Sequence, residues 1–441
     1  MRTLKKGIRL PDFKYRSLSS THIHLPQASR FITILLNQHG NGSVKPCVQK
    51  GDQVFVGTKV AEGEDWASAP IHSSVSGRIS EITQDSVIIE SDEADRLDSS
   101  IQVRSEISTD HGQLIEIIRQ AGIVDLGGSA FPTHVRLAEA RSKNVEILVL
   151  NGCESEPFLT ADHVLMLNHP VEILKGAELL RIASSAKRAV IVIEQNKLEV
   201  VEILNSKNYN LKIETLSTLT VPVRYPQGSE RALVEAVTNR KLPWNQSALE
   251  VGVLTQNVAT AFAVYEAVYL KKPLYERVIT VTGDCIVEPK NLWARIGTRA
   301  VDLIRSSKGL MREPNRIIFG GPMTGEAIEH LEVPVTKKVQ GILALPPDLT
   351  VSEEEPCIRC GLCVDVCPES LVPEALIRAA RAGDQELAED YDIDSCTECG
   401  SCAYICPSKI PMVAIIRNGK QPPSLKENVR PEPAHVFSSN G

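Results

Sequence analysis

Two cysteine runs constrain this chain more than anything else in it. Cys357-Ile-Arg-Cys360-Gly-Leu-Cys363-Val-Asp-Val-Cys367-Pro368 is followed by Cys396-Thr-Glu-Cys399-Gly-Ser-Cys402-Ala-Tyr-Ile-Cys406-Pro407. Each is a complete C-x2-C-x2-C-x3-C-P run, the spacing that holds [4Fe–4S] clusters. Three thiolates at every third residue curl around one face of an iron–sulfur cube, and Gly361 and Gly400 let the backbone crowd its sulfides. The fourth cysteine of such a run ligates the other cluster. The expected ligand sets are therefore Cys357, Cys360, Cys363 and Cys406 for one cluster, and Cys396, Cys399, Cys402 and Cys367 for the second. A structural zinc ion takes paired cysteines and has no use for the third and fourth of each run. Disulfide scaffolds belong to small secreted chains.

At 441 residues the chain needs three or four domains. A net charge of −7 and an isoelectric point near 5.9 exclude a basic nucleic-acid surface. The N-terminus has basic residues but no apolar segment behind them, and Val251–Leu270 is interrupted by Gln256, Asn257 and Glu266, so no signal peptide or membrane span is expected. Cys47, Cys153 and Cys285 lie far apart, which fits a reducing, cytoplasmic compartment. They are expected to pack as small hydrophobes, and His72, His134 and His163 to be surface or hydrogen-bonded residues rather than ligands.

Residues 1–105 read as short strands, at Phe31–Leu36, Val48–Val54, Gly57–Ala61, Ala69–Gly77 and Arg78–Ile82, with a glycine turn at Gly40–Gly42. Their Gly-Asp-x-Val…Gly…Pro…Gly-x-Ile rhythm resembles the barrel-sandwich hybrid of biotinyl and lipoyl domains. The segment that would carry their cofactor lysine, Gly63–Pro70, contains none, so a structural module is expected. Residues 106–274 alternate helix (Leu114–Ala121, Val258–Val268) with buried-type strands (Val145–Leu150, Ala189–Ile193), the pattern of a mostly parallel sheet. Residues 275–346 form a smaller α+β piece, with strands at Val278–Gly283 and Arg316–Pro322 around a helix at Ala300–Ser306. Pro346–Pro356 is a linker by composition. Residues 347–417 hold the cysteine runs around a helical stretch, Pro373–Asp390. Residues 418–441 are a polar, Pro-rich tail expected to be disordered.

A second candidate site is Gly122-Ile-Val-Asp-Leu-Gly-Gly-Ser-Ala-Phe-Pro-Thr-His-Val-Arg136. Its glycine turn can offer backbone N–H groups to a phosphate, with Arg136 close by. This stretch resembles the Gly-Gly-Ala-x-Phe-Pro-Thr motif of the flavin- and NADH-binding subunit of respiratory complex I. It is still more similar to the RnfC family of the Rnf-type ion-translocating electron transport complex. The likeness takes in the barrel-like module, Asn151-Gly-Cys-Glu-Ser-Glu-Pro157 with Leu159-Thr-Ala-Asp-His163, and Tyr225-Pro-Gln-Gly-Ser-Glu230. It continues through Asn257-Val-Ala-Thr260, Ile296-Gly-Thr298, Gly320-Gly-Pro-Met323 and both cysteine runs.

The resemblance implies a multidomain α/β plus β chain. Its parts would be a barrel-sandwich hybrid, a Rossmann-like flavin/NADH domain, a soluble-ligand-binding β-grasp domain and a helical ferredoxin-like domain with two clusters. It implies an FMN held by Gly127, Gly128 and Ser129, with Phe131 stacking on the dinucleotide. Asn151, Glu154 and Glu156 would contact FMN and nucleotide, and Arg136, Gly228, Glu230, Asn257 and Thr260 would complete the site. Arg136 stands for the family's lysine, Ser129 for an alanine, and Gly228-Ser229-Glu230 lacks one of two paired acids.

The implied function is that of a peripheral electron-transfer protein on the cytoplasmic face of the bacterial cell membrane. It would pass electrons between NADH, FMN and two [4Fe–4S] clusters in an ion-translocating NADH:ferredoxin oxidoreductase, with the other subunits as partners. No general base is required. The alternatives are a flavin-free, cluster-bearing adaptor, or a soluble flavin–iron–sulfur reductase of a cobalamin or quinone-like acceptor.

Overall fold

The computed structural model describes residues 6–26, 29–39, 43–243, 246–347 and 353–421. The Gly40–Gly42 turn, the middle of the 346–356 linker and nearly all of the C-terminal tail lie outside the described residues. The last helix, Met412–Lys420, runs into the segment read as tail.

The β-rich module is two small sheets. One has the order Phe31–Leu35, Ser86–Ser91, Gly77–Ile82, Gln53–Val54; the other is Val44–Pro46, Lys59–Gly63, Ile71–His72. Their inner faces share a core of Ile32, Ile34, Val60, Ile79 and Ile89. The lysine-free tip is docked rather than swinging. The Trp66 carbonyl lies 2.6 Å from His134 Nε2, and the two rings meet edge-on at 5.1 Å.

Residues 6–24 lie outside the two sheets of this module. They run as a strap over the rest of the chain. Ile8 bridges Tyr225, Asp12 O accepts from Phe158 N, and Ile23–His24 adds a parallel edge strand to Lys290–Arg295.

The central domain is a four-stranded, all-parallel sheet in the order Leu216–Val221, Arg188–Glu194, Ile147–Gly152, Val253–Asn257. In chain order this is 3-2-1-4, so the connections reverse direction between Ile147–Gly152 and Val253–Asn257. A crevice opens at the carboxyl ends of the strands at such a point. Leu216–Val221 and Val253–Asn257 escape a hydropathy reading for physical reasons. The first is a half-exposed edge strand rich in threonine, and the second ends in the polar Gln256 and Asn257. Val258–Leu270 is the core helix expected, buried on most of its faces by the Pro170–Ser184 helix and the sheet. Among the described residues no helix is long and apolar enough to cross a membrane.

A six-stranded mixed sheet follows, in the order Ile23–His24, Lys290–Arg295, Glu276–Thr282, Gly341–Leu345, Arg316–Phe319, Glu326–Ala327. Gly297 explains the Ile-Gly-Thr motif. It has φ +95°, its carbonyl accepts from Thr33 N, and a Cβ there would lie 2.9 Å from Thr33 O. Lys337 joins three parts of the chain. It is fully buried, donates to Pro70 O and Gly122 O, and burial lowers its pKa to about 7. In the cysteine-rich part, Pro373–Asp390 is two helices, Pro373–Ala382 and Gln385–Asp390. Gly383 breaks them with a left-handed φ of +68° that a glycine adopts without cost.

The packing of the two long helices turns on Gly176, where a Cβ would sit 1.8 Å from Ala261 O. Alanine gains about 1 kcal/mol of helix propensity over glycine, but this clash forces the helices apart. Overpacking of that kind costs about 1–3 kcal/mol. Gly176→Ala is therefore expected to lower the thermal unfolding midpoint followed by circular dichroism. An unchanged or raised midpoint would contradict the packing described.

Candidate flavin and iron–sulfur sites

The reversal point of the parallel sheet carries a cavity of about 300 Å³. Gly127, Ser129 and Arg136 line it from the glycine loop and the following helix. Asn151 comes from the end of its strand, Gly228 and Glu230 from the Tyr225–Glu230 turn, and Asn257 from the last strand. Seven of the twelve residues expected at a flavin thus converge.

Local hydrogen bonds explain the shape of the loop. Asp125 N donates to Phe131 O, Ala130 N to Asp125 O, and Ser129 Oγ to Asp125 Oδ2. Gly128 has φ +111°, which a residue with a Cβ rarely adopts. Thr260 does not line the cavity. Its buried Oγ1 accepts from Leu126 N at 2.9 Å and so ties the loop to the Val258–Leu270 helix. Phe131 stands beside the cavity with the Arg136 guanidinium 5.5 Å from its ring centroid.

Two helices start at the cavity. Asn257 caps Val258–Leu270 by accepting from Ala259 N at 2.7 Å, and Ser229 caps Glu230–Thr238 by accepting from Ala232 N. Ser229, the residue that departs from the paired acids, has this structural work instead. Helix N-termini present N–H groups and positive dipole ends, which suits a phosphate. Glu230 is held by Thr255 Oγ1 and Ala248 N and lies 3.7 Å from Arg136.

Glu154 and Glu156 are not brought to this cavity, contrary to the expectation that both would touch FMN or nucleotide. Their loop is turned toward the N-terminal strap. Glu154 Oε1 accepts from Asp162 N, and its other oxygen is 3.9 Å from Lys14 Nζ. Glu156 accepts from Met323 N, Thr324 N and Thr324 Oγ1, so it pins the Gly320–Met323 turn. A Cβ on Gly321 would collide with that carboxylate, which accounts for the glycine pair.

Behind the cavity runs a buried polar chain that the sequence did not reveal. Asn257 Nδ2 donates to Asp162 Oδ2 at 2.7 Å. Burial raises the Asp162 carboxyl to about 7, with the Glu154 charge adding to the effect. Arg277, also buried and lowered by burial to about 10, donates to Leu126 O and Lys337 O.

The cysteine runs cross over as expected from their spacing. Cys357, Cys360, Cys363 and Cys406 surround one cavity, and Cys367, Cys396, Cys399 and Cys402 a smaller one. Among the described residues no three His, Cys, Asp or Glu side chains stand close enough to share a single metal ion. Thiols ringing a cavity suit a four-iron cube, whose corner irons are apart, rather than one ion. Burial pushes Cys367 up to about 11 and raises Cys402 as well, so in the smaller set the thiolate form needs a cation to hold it. Cys153 and Cys285 are buried as expected. Cys47 is exposed, its Sγ turned to Lys59 O, because Val44–Pro46 is a short strand at a sheet edge. His72, His134 and His163 are all buried, and His163 meets Glu199 at 2.7 Å.

The smaller cysteine set is the one docked on the central domain. Tyr225 Oη donates to Cys399 O at 2.7 Å, Arg231 pairs with Glu369, and Gly7 N donates to Val366 O. Cys357 and Cys360 of the other set are exposed to solvent.

Fold and sites together define a flavin-domain, two-cluster electron-transfer protein. The Nuo51 FMN-binding domain family matches residues 118–266, the RnfC barrel sandwich hybrid domain 2–102, and the 4Fe-4S dicluster domain 353–410. The matching component of the proton-translocating ferredoxin:NAD(+) oxidoreductase complex of Clostridium ljungdahlii is 35% identical over 89% of this chain and 88% of that protein. Its counterpart in the Na(+)-translocating complex of Acetobacterium woodii is 35% identical over 84% of this chain and 86% of that protein. The chain belongs to this family, the RnfC components of the ion-translocating ferredoxin:NAD+ oxidoreductase complexes. An NAD+-reducing [NiFe]-hydrogenase crystal structure shares the fold, at a TM-score of 0.52 and 17% identity over 71% of this chain and 61% of that one.

Asp162 makes the site pH-sensitive in a defined direction. Its folded value lies above the ordinary carboxylate value near 3.9, so ionising it opposes folding. That penalty grows as pH rises from about 4 to about 7 and is constant above. Asp162→Asn should therefore gain stability relative to the natural chain across that window in urea titrations. A difference that is flat with pH would show that the carboxyl is not held protonated.

Proposed function

We propose that the chain is the peripheral subunit that exchanges electrons between NADH and the remaining subunits of an ion-translocating ferredoxin:NAD+ oxidoreductase, on the cytoplasmic face of the membrane. When bound, FMN would take a hydride from NADH and release electrons singly to two [4Fe–4S] clusters. The central domain is read as Rossmann-like and the six-stranded sheet as a β-grasp. The observation that carries this reading is the row of three candidate sites: the cavity at the strand reversal, the cysteine set reached through Tyr225, and the solvent-facing set beyond it.

Each residue has a stated part. Gly127 and Gly128 bring backbone N–H groups close, while Arg136 and the capped helix ends at Asn257 and Glu230 neutralise a phosphate. Ser129 and Asn151 orient the flavin by hydrogen bonds, Thr260 holds the glycine loop, and Phe131 offers a face to the dinucleotide. The clusters are assigned to Cys367, Cys396, Cys399 and Cys402 on the inner side, and Cys357, Cys360, Cys363 and Cys406 on the outer. Tyr225 and the Arg231–Glu369 pair fix the inner set against the flavin domain. The exposure of Cys357 and Cys360 makes the outer set the exchange point with a partner protein.

Anaerobically purified protein should contain about eight iron and eight sulfide per chain, together with FMN that NADH bleaches. Cys406→Ser should remove the outer cluster and Cys367→Ser the inner one, each halving the iron while flavin bleaching persists. Arg136→Ala should weaken FMN binding about tenfold or more. Iron at full content with neither FMN nor bleaching would leave the adaptor reading, and zinc in place of iron would end both.

A further inference from the structure

A second cavity, of about 340 Å³, lies at the carboxyl ends of the Arg188–Glu194 and Leu216–Val221 strands, beneath the N-terminal strap. It is as large as the flavin cavity and separate from it. The walls between them are the Asn151–Pro157 loop and the Tyr225–Gly228 turn, joined where Asn151 Nδ2 donates to Gly228 O. None of the residues assigned to FMN lines it.

Its polar groups are only partly paired with one another: Lys197 and the Arg224 backbone N–H reach the Glu194 carboxylate, and three atoms are left over. Glu194 is 1% exposed at the end of the second strand of the 3-2-1-4 order. Its Oε2 lies 3.5 Å from Lys197 Nζ, while Oε1 is buried with no hydrogen-bond partner. Lys197 also takes Asn196 Oδ1, at 3.0 Å, which leaves the buried Asn196 Nδ2 without an acceptor. Arg224 donates through Nη2 to Gly7 O, and its buried Nε has no partner. An acceptor, a neutral donor and a guanidinium N–H thus line one cavity unsatisfied, and buried polar groups left bare are costly. Lys14 is not available, since its ammonium is spent on the carbonyls of Glu154, Glu156 and Leu159.

The pattern selects a ligand class. A vicinal diol donates one hydroxyl to a carboxylate and accepts from an amide, which Glu194 and Asn196 offer as neighbours. In dinucleotide-binding folds an acid about 20 residues beyond the glycine turn accepts from the ribose 2′-hydroxyl, and a buried carboxylate at a strand end offers the same chemistry here. Arg224 and the exposed Arg9 supply cations, partly offset by Asp12 at the mouth, and Leu10, Pro222 and Val223 supply apolar surface for a base. We propose that this cavity is a ribonucleotide site, distinct from the flavin and NADH site, with Glu194 and Asn196 on the ribose and Arg9 and Arg224 on the phosphates. It does not rest on the flavin assignment. Because the strap that roofs it also meets Tyr225 and Val366, an occupant would bear on the seating of the inner cysteine set.

The test is equilibrium dialysis of radiolabelled ADP, under anaerobic conditions, against the intact chain carrying its FMN and clusters. NADH carries the same ribose diol and phosphates, so the second cavity is read as the ADP binding that Arg9→Glu weakens and Arg136→Ala, in the flavin cavity, leaves unchanged. Support consists of ADP binding that is indifferent to Arg136→Ala and is weakened about tenfold or more by 2′-deoxy-ADP substitution and by Glu194→Gln. Glu194→Gln leaves the buried Lys197 without its counter-charge and can fail to fold. Arg9→Glu, at an exposed position, should also weaken ADP tenfold while FMN content and NADH bleaching stay unchanged. Absence of ADP binding, its loss in Arg136→Ala, displacement by inorganic phosphate at equal concentration, or indifference to Arg9→Glu would each overturn the proposal.

Discussion

The loop from Asn151 to Thr160 is buried on nearly every side, and its backbone must find partners away from water. Lys14 meets much of that need by donating to three of its carbonyls from outside the domain. Burial lowers the Lys14 pKa to about 8, so the charge is retained at neutral pH at a desolvation cost that the carbonyls and Glu154 offset. The strap therefore serves as part of the interior. Without it the loop that separates the two cavities would have no fixed shape.

From that loop the order spreads through short polar links. Asn151 holds Gly228 O, Glu154 holds Asp162 N, Asp162 holds Asn257, and Thr260 holds the glycine loop. Glu156 reaches the other way and fixes the Gly320–Met323 turn of the mixed sheet. A packed core alone would tolerate small shifts of its elements. Hydrogen bonds of about 2.7–3.1 Å between buried groups do not, and they place the glycine loop, the strand ends and two helix caps around one space.

The same network bears on electron transfer. The Tyr225–Glu230 turn forms one wall of the flavin cavity at Gly228 and carries Tyr225, which donates to Cys399 O. One short turn thus spans the distance between the candidate flavin and the inner cysteine set. The Arg231–Glu369 pair is nearly buried and braces the contact a few residues further on. The outer set is reached by Lys6 Nζ, which donates to Val364 O, and exposes Cys357 and Cys360 to solvent, as exchange with a partner requires.

Much of this protein was legible in its residues. Cluster chemistry follows from cysteine spacing because ligation geometry is local to a dozen residues, and the crossing of the fourth cysteines came with it. The docked β-rich tip followed from the missing lysine, and the core helix Val258–Leu270 from its apolar run. What the residue order could not settle was direction. Glu154 and Glu156 sit within a motif that points to a flavin, yet a positive φ of 49° at Glu154 and the distant partners Lys14, Met323 and Thr324 turn both away. The Leu216–Val221 and Val253–Asn257 strands, the role of residues 6–24 as a strap, and the buried Asp162 and Glu194 carboxyls likewise depend on contacts between residues far apart in the chain. Spacing along the chain determines which groups are near each other within a motif; only the folded chain decides which way a buried charge faces, because that is set by where its desolvation is compensated.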